Sequence, residues 1–395
     1  MSSTAAWRAT FACSRLASTD SLGPSLRLRL RLTLTLTQTL RLTLRLTLRL
    51  SLHPHLHPHQ AGVEFVQRFR AHAEDRKASP LPVLSSSCPG WVCYAEKVQG
   101  AAVLPLLSRV KSPQQVAGSL LKYGLAAGKQ VPPERTYHVT VMPCFDKKLE
   151  ASRDDFFNPE AGAEGTRDVD CVLSSGEVVQ LLEQRGETLQ ATEAATLDDA
   201  YDTGLCGLSA SGRLTYSAPG GSGGMAEYVF RAAALELYGV TLPEGEALVW
   251  KAGRNKDIRE LNLEVGGATV LRFAQAFGFR NIQNVVRRAK AGGSPYHYVE
   301  LMACPGGCAN GGGQPRVASK LPQDSAARVE LIERMMVSEA EVELRSPADN
   351  PQLAAIYQPG GLLEGGPLGE RAQRHLTTQY HAVEANTQNA MTIQW

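Results

Sequence analysis

The stretch that most constrains this chain is Cys304-Pro-Gly-Gly-Cys308-Ala-Asn-Gly-Gly-Gly-Gln314. Two thiols stand four residues apart, and five glycines and a proline fall within those eleven residues. So little side-chain bulk is poor material for a core but suits a backbone that must pass close to something bulky. If the chain turns helically there, the four-residue spacing puts both sulfurs on one side. The segment therefore asks for a large, thiolate-binding group, and for further ligands from elsewhere in the chain.

Those ligands must come from few candidates. Eight cysteines are spread over 395 residues, at 13, 88, 93, 144, 171, 206, 304 and 308. Such thin spacing argues against a disulfide framework and for a reducing compartment. The length allows two or three domains, and no run of about eighteen apolar residues suggests a membrane span. Net charge is +2, but residues 1–60 hold eight Arg and one acid, leaving 33 basic and 38 acidic residues, a balance of −5, in the body. A mildly acidic body makes no electrostatic case for nucleic-acid binding.

Residues 26–52 alternate Leu with Arg or Thr and run into His53-Pro-His55-Leu-His57-Pro-His59. The period of two suits a strand, yet 27 residues exceed any strand of a domain, and the period is wrong for an amphipathic transit helix. Residues 1–60 are therefore expected to be a low-complexity, disordered extension, its histidines solvated.

The body reads as alternating strands and helices, which implies parallel α/β architecture. Strands are expected at Leu81–Leu84, His138–Met142, Asp170–Leu173, 246–251, 259–265, 269–274 and Tyr296–Met302, the 259–265 and 269–274 pair forming a hairpin through Gly266-Gly267. Ser174 to Glu177 has capping-box spacing before a helix. Further helices are expected from Val63 to Lys77, around Leu120–Leu125, and over 225–238, 281–290, 325–344 and 371–384. Gly220-Gly-Ser-Gly-Gly224 lacks the ending of a P-loop and reads as a linker or a close approach to a prosthetic group. Cys93 and Cys171 read as small buried apolar residues and Cys206 as a loop residue.

Three of these strands run into cysteine, at Cys88, Cys144 and Cys304, with Cys308 one turn on. Ligands of open parallel sheets gather at the carboxyl ends of strands, so four thiols scattered in sequence can converge there. Four thiolates suit an iron–sulfur cluster or zinc; four inert buried cysteines are the third reading. Structural zinc takes paired knuckles, whereas only one pair is present here, and the glycines favour a bulky cluster.

The segments Ser85-Ser-Ser-Cys88-Pro-Gly-Trp91, Val141-Met-Pro-Cys144-Phe-Asp-Lys147-Lys148 and Met302-Ala-Cys304-Pro-Gly-Gly-Cys308 resemble the three signatures of iron-only hydrogenases. Cys93 to Lys97, Ser112 to Gln115, Asp146 to Arg153, Arg280 to Asn284 and Tyr296 to Glu300 resemble more closely the eukaryotic offshoot. These are the cytosolic iron–sulfur assembly factors of the nuclear prelamin A recognition factor-like type. The resemblance covers roughly residues 62–395. It implies an α/β fold of two parallel-sheet lobes with a cluster at their junction and a small helical carboxyl-terminal segment. The expected division is 1–60 extension, 61–320 large-subunit-like domain and 321–395 helical segment.

It further implies that Cys88, Cys144, Cys304 and Cys308 hold one [4Fe-4S] cluster. The family's amino-terminal cysteine cluster has no counterpart here, since Cys13 alone precedes Cys88, so its second cluster is expected to be absent. Hydrogenases place a proton-relaying cysteine where Ser87 stands; a hydroxyl titrates too high for that relay, so no hydrogenase activity is expected. Lys147 matches the lysine that contacts the diiron ligands. The implied role is in cytosolic iron–sulfur protein assembly, cytoplasmic and also nuclear, between the early scaffold and the targeting complex. Trp395, an aromatic with a terminal carboxylate, resembles a docking peptide for that complex. A hydrogenase and a zinc-stabilised interaction module are the alternatives.

Overall fold

A computed structural model describes residues 55–128, 130–188, 215–216, 225–242, 248–253, 255–315, 330, 332–334, 343–344 and 346–383. The Leu-rich repeat, Gly220–Gly224, most of the expected helix 325–344, Cys13, Cys206, His53 and Trp395 lie outside them. The strands are β1 (Val83–Ser85), β2 (Val139–Met142), β3 (Phe157–Asn158), β4 (Thr166–Arg167), β5 (Cys171–Ser174), β6 (Thr215–Tyr216), β7 (Lys251–Ala252), β8 (Ile258–Val265), β9 (Ala268–Phe277), β10 (Tyr298–Met302) and β11 (Glu343–Leu344). The helices that matter here are α1 (Leu56–Glu74), α2 (Pro89–Tyr94), α3 (Pro113–Ser119), α4 (Asp146–Ala151), α5 (Ser175–Gln184), α6 (Met225–Tyr238), α7 (Phe279–Lys290) and α8 (Glu370–Leu376).

Two compact units result. The larger takes in the described residues of 54–112, 209–311 and 317–395; the smaller takes in those of 113–208 and 312–316.

The larger unit is built on a five-stranded sheet of order β1-β10-β9-β8-β7. The sheet is mixed: β1, β10 and β9 are parallel, whereas β8 pairs antiparallel with both β9 and β7. All five residues of β10 are buried, as a central strand covered on both faces requires. Tyr298 faces a cluster with Phe65 and Val66 of α1 and Val229, Phe230 and Ala233 of α6. Val299 and Leu301 face the other, with Trp91 of α2 and Ile282, Val285 and Val286 of α7. Each fully buried aliphatic side chain of this kind contributes roughly 1.5–3 kcal/mol, so two apolar faces on one short strand fix its place firmly.

Three expectations need correction in this unit. The helix expected from Val63 begins at Leu56, and His55 and His57 are 3% and 4% exposed, so they are not part of a solvated tail. Long-range contacts hold that start: Gln60 Nε2 donates to the Pro367 carbonyl at 2.8 Å, and the His59 ring lies 5.7 Å from that of Tyr357. The helix expected over 371–384 ends at Leu376, because Thr377 bridges antiparallel to Val110 and Thr378 N–H donates to the Arg109 carbonyl at 2.8 Å. Of the strand expected over 246–251, residues 248–251 are described, and only Lys251 falls in a strand, β7; residues 248–250 are not in one.

The smaller unit holds the parallel pair β2–β5 and the antiparallel pair β3–β4. Helix α3 runs into a π-helical turn, Leu120–Leu125. The expected capping box is present at α5: Ser174 Oγ accepts from Glu177 N–H at 3.2 Å and Ser174 N–H donates to Glu177 Oε2 at 2.7 Å. Lys122, with no exposed side chain, pairs with Asp170 at 2.7 Å and donates to the Thr166 hydroxyl at 2.8 Å. A charge so desolvated persists only because both partners are in place.

Candidate metal centre

The larger unit carries three of the four candidate thiols at the carboxyl end of its sheet. β1 ends at Ser85, three residues before Cys88; its parallel neighbour β10 ends at Met302, two before Cys304. Cys308 opens a short 3-10 turn, Cys308–Asn310. Met302 lies among them: its sulfur is 3.7 Å from Cys308 Sγ and 3.9 Å from Ser87 Oγ. The serine run before Cys88 is structural. Ser86 Oγ donates to the Leu301 carbonyl at 2.5 Å and accepts from Cys88 N–H at 3.0 Å, tying the two strand ends together.

The glycines between the thiols have a conformational reason. Gly306 and Gly307 have φ of 71° and 82°, a region other residues seldom adopt. The Gly306 N–H donates to Asp257 Oδ1 at 2.8 Å, and nothing lies within 4 Å of where its Cβ would be. The turn therefore needs glycine for its backbone rather than for want of space.

The fourth thiol, Cys144, belongs to the smaller unit, two residues after β2. Here glycine serves close approach. A Cβ on Gly313 would stand 2.8 Å from Ser174 Cβ and 3.1 Å from Cys144 N, and Gly313 N–H donates to the Pro143 carbonyl at 2.9 Å. Behind Cys144, Lys147 is 7% exposed and its Nζ lies 3.1 Å from Glu150 Oε2. Gln114 Nε2 donates to the same carboxylate at 3.1 Å and Thr140 Oγ1 to Gln114 Oε1 at 3.0 Å. Lys147 is thus a buried cation neutralised within its own helix, not the surface cation that a strand-following lysine suggests.

All six described cysteines are outside disulfides. Cys93 and Cys171, expected to be buried, are half-buried. Among the described residues the structure gathers no group of three or more His, Cys, Asp or Glu side chains into metal-holding geometry, so it does not itself bring the four thiols together. Soft sulfur donors at strand ends are nevertheless the donor type that an iron–sulfur cluster takes.

Sequence reasoning gave no role to Glu300, which the fold puts at the centre of a buried polar row. Strand register sets Ser85, Glu300, Gln275 and Arg259 side by side across β1, β10, β9 and β8. Arg259 Nε donates to Gln275 Oε1 at 2.5 Å; Gln275 Nε2 donates to Glu300 Oε2 at 2.7 Å, and Ala226 N–H of α6 to the same oxygen at 3.1 Å. Glu300 Oε1 has no partner. Complete burial pushes this carboxyl up to about 7, against the hydrogen bonds from Gln275 and Ala226 and the charge of Arg259. The sequence signal is one acid in an otherwise apolar strand.

The profile of the family described as iron only hydrogenase large subunit, C-terminal domain, matches residues 54–312. Cytosolic iron-sulfur assembly component 3 of Mus musculus is 49% identical over 332 residues, 84% of this chain and 65% of that protein. Cytosolic Fe-S cluster assembly factor narfl of Danio rerio is 45% identical over 333 residues, 84% of this chain and 75% of that protein. An apo FeFe-hydrogenase from Chlamydomonas reinhardtii superposes with a TM-score of 0.68 at 28% identity, covering 85% of this chain and 83% of the other. The chain thus spans somewhat less than two thirds, 65%, of the length of the mouse relative.

Proposed function

We propose, given that this chain belongs to the iron-only hydrogenase large-subunit family, that it is a [4Fe-4S]-binding component of cytosolic iron–sulfur protein assembly and does not evolve hydrogen. The relatives' names as cytosolic assembly factors support the pathway. The ligands are Cys88, Cys144, Cys304 and Cys308. Bound there, the cluster would supply a group that can be passed on or can carry one electron.

What the chain itself does is hold thiols and choose the chemistry around them. The observation that carries the non-catalytic reading is Ser87, whose hydroxyl rests 3.9 Å from the Met302 sulfur where a relay thiol would be needed. A serine hydroxyl keeps its proton at neutral pH and cannot shuttle it. Lys147, already paired with Glu150, has its charge spent inside the protein. In this reading the chain links the early scaffold to the complex that loads cytosolic and nuclear apo-proteins, in the cytoplasm and the nucleus, with Trp395 as a docking residue.

Anaerobic purification with iron, sulfide and zinc analysis, electron paramagnetic resonance and infrared spectroscopy tests this. Iron and sulfide in equal amounts, with no carbonyl or cyanide bands, is the expected result. Bound zinc without sulfide would favour the zinc module, and hydrogen evolution the enzyme. Cys308→Ala is expected to abolish cluster retention; unchanged iron content sinks that ligand assignment.

A further inference from the structure

Every charge on the exposed side of α7 is positive, on a body whose balance is acidic. The helix, Phe-Arg-Asn-Ile-Gln-Asn-Val-Val-Arg-Arg-Ala-Lys, contains four cations and no acid. Asn281, Ile282, Val285 and Val286 face the core, which leaves Arg280, Gln283, Arg287, Arg288 and Lys290 exposed. Positions 280, 283, 287 and 290 fall at helical spacing, so they form one stripe along the helix.

A second element extends that stripe. The π-helical turn Ala95–Gln99 lies alongside α7: the Tyr94 ring meets that of Phe279 edge-on at 5.3 Å, and Lys290 Nζ donates to Gln99 Oε1 at 3.3 Å. Between those contacts the turn presents Lys97 and Val98, and Val98 is 63% exposed. Phe279, 40% exposed, stands at the other end of the stripe.

Helix stability explains only part of this charge. Arg287, Arg288 and Lys290 are in the last turn, where cations suit the helix dipole. Arg280 is in the first turn, where a cation opposes it, and Lys97 is on another element. Among the described residues Arg287 donates to Asn284 of its own helix. Among the described residues none of the five cations pairs with a carboxylate. Unpaired like charges in one stripe, punctuated by an exposed aromatic and an exposed Val, have the composition of an interface rather than of a solvated face.

We infer that this face, formed by α7 with Lys97 and Val98, is a docking surface for an acidic protein surface. It belongs to the partner that also captures the carboxyl-terminal tail. Continuity supports the choice of partner. Val383, the last described residue, donates its N–H to the Glu96 carbonyl at 3.1 Å, and His381 N–H donates to Glu96 Oε1 at 3.0 Å. The chain therefore continues into residues 384–395 from beside Lys97. A partner holding the tail is brought against this stripe, where opposite charge steers its approach. Nucleic acid is disfavoured because five cations with apolar residues among them sit on an otherwise acidic body.

The inference rests on the proposed pathway for the partner's identity, and the experiment separates the two. The probe is the purified targeting complex of cytosolic iron–sulfur assembly, with binding of the full chain measured at low and high salt. The triple variant Arg280→Glu, Arg287→Glu, Lys290→Glu is expected to weaken binding about tenfold or more and to lose its salt dependence. Arg70→Glu, an exposed charge on α1, is expected to change nothing. Deleting Trp395 is expected to weaken binding further in the triple variant. If the triple variant binds like the unaltered chain, the docking face is refuted while the assembly role stands. If the unaltered chain does not bind the complex, the assembly role fails, and a glutamate-rich peptide becomes the deciding probe. Preference of that peptide for the unaltered chain over the triple variant supports the face; equal binding overturns it. Loss in the triple variant of binding to duplex DNA or anionic vesicles, with binding to the complex unchanged, also overturns it.

Discussion

Glu300→Gln tests the buried row across the main sheet. The folded protein holds this carboxyl up near 7, against 4.5 as the ordinary value. The sign follows from proton linkage. Below the unfolded value both states carry the proton. As pH rises through it, the unfolded chain ionises while the folded chain keeps its proton, so stability is lost until the folded value is passed. A difference of about 2.5 units at about 1.4 kcal/mol each makes the loss about 3 kcal/mol. The amide of Gln copies the protonated acid: its oxygen can accept from Gln275 and Ala226, and it cannot ionise. Urea unfolding of both proteins at about pH 5 and about pH 8 measures the difference. The variant is expected to match or fall slightly below the unaltered protein at the lower pH and to exceed it by roughly 2–3 kcal/mol at the higher. A stability difference independent of pH would refute the assignment of a neutral, buried Glu300.

Three further substitutions probe the smaller unit. Asp170→Asn leaves the Lys122 ammonium buried with only the Thr166 hydroxyl. It is expected to destabilise by about 3 kcal/mol, the low end for an orphaned buried charge because the carboxylate is partly exposed; a melting temperature within a degree or so of the unaltered protein would contradict this. Gly313→Ala drives a Cβ to 2.8 Å from Ser174 and 3.1 Å from the Cys144 backbone. It is expected to cost about 1–3 kcal/mol and to lower iron retained after reconstitution, and normal iron content would show that the Cys144 loop tolerates the displacement. Ser174→Ala removes the cap of α5 and is expected to cost about 1 kcal/mol, read from the unfolding midpoint.

Features written in local sequence were legible. The hairpin of β8 and β9, the capping box at Ser174 and Glu177, and the strand that runs into Cys304 each depend on neighbours within a few residues. The beginning of α1 did not, because His-Pro repeats look like tail. What holds Leu56 to Gln60 in a helix is a hydrogen bond to Pro367, 307 positions away, and the ring of Tyr357. The end of α8 is likewise set by pairing with residues 109–111. The order of the strands across the sheet could not be read either, since alternation of strands and helices leaves it open.

The site divides along the same line. Cys88, Cys144 and Cys304 could be found because a strand pattern stops shortly before each, and sheets place ligands at such ends; Cys308 was found by its four-residue spacing from Cys304. Glu300 could not, because its meaning lies in the register that sets Gln275 beside it and Arg259 beyond. A lone acid in an apolar strand looks like a tolerated exception until its neighbours are known. Ser87 falls between these cases. Its identity is plain in the sequence, but only the fold shows that its hydroxyl lies against the same sulfur that touches Cys308. An oxygen that holds its proton at neutral pH, placed beside a thioether that cannot accept one, leaves the thiols of this unit without a proton path at that position. On the proposed reading, this arrangement suits a protein that keeps or passes on a cluster better than one that turns protons into hydrogen.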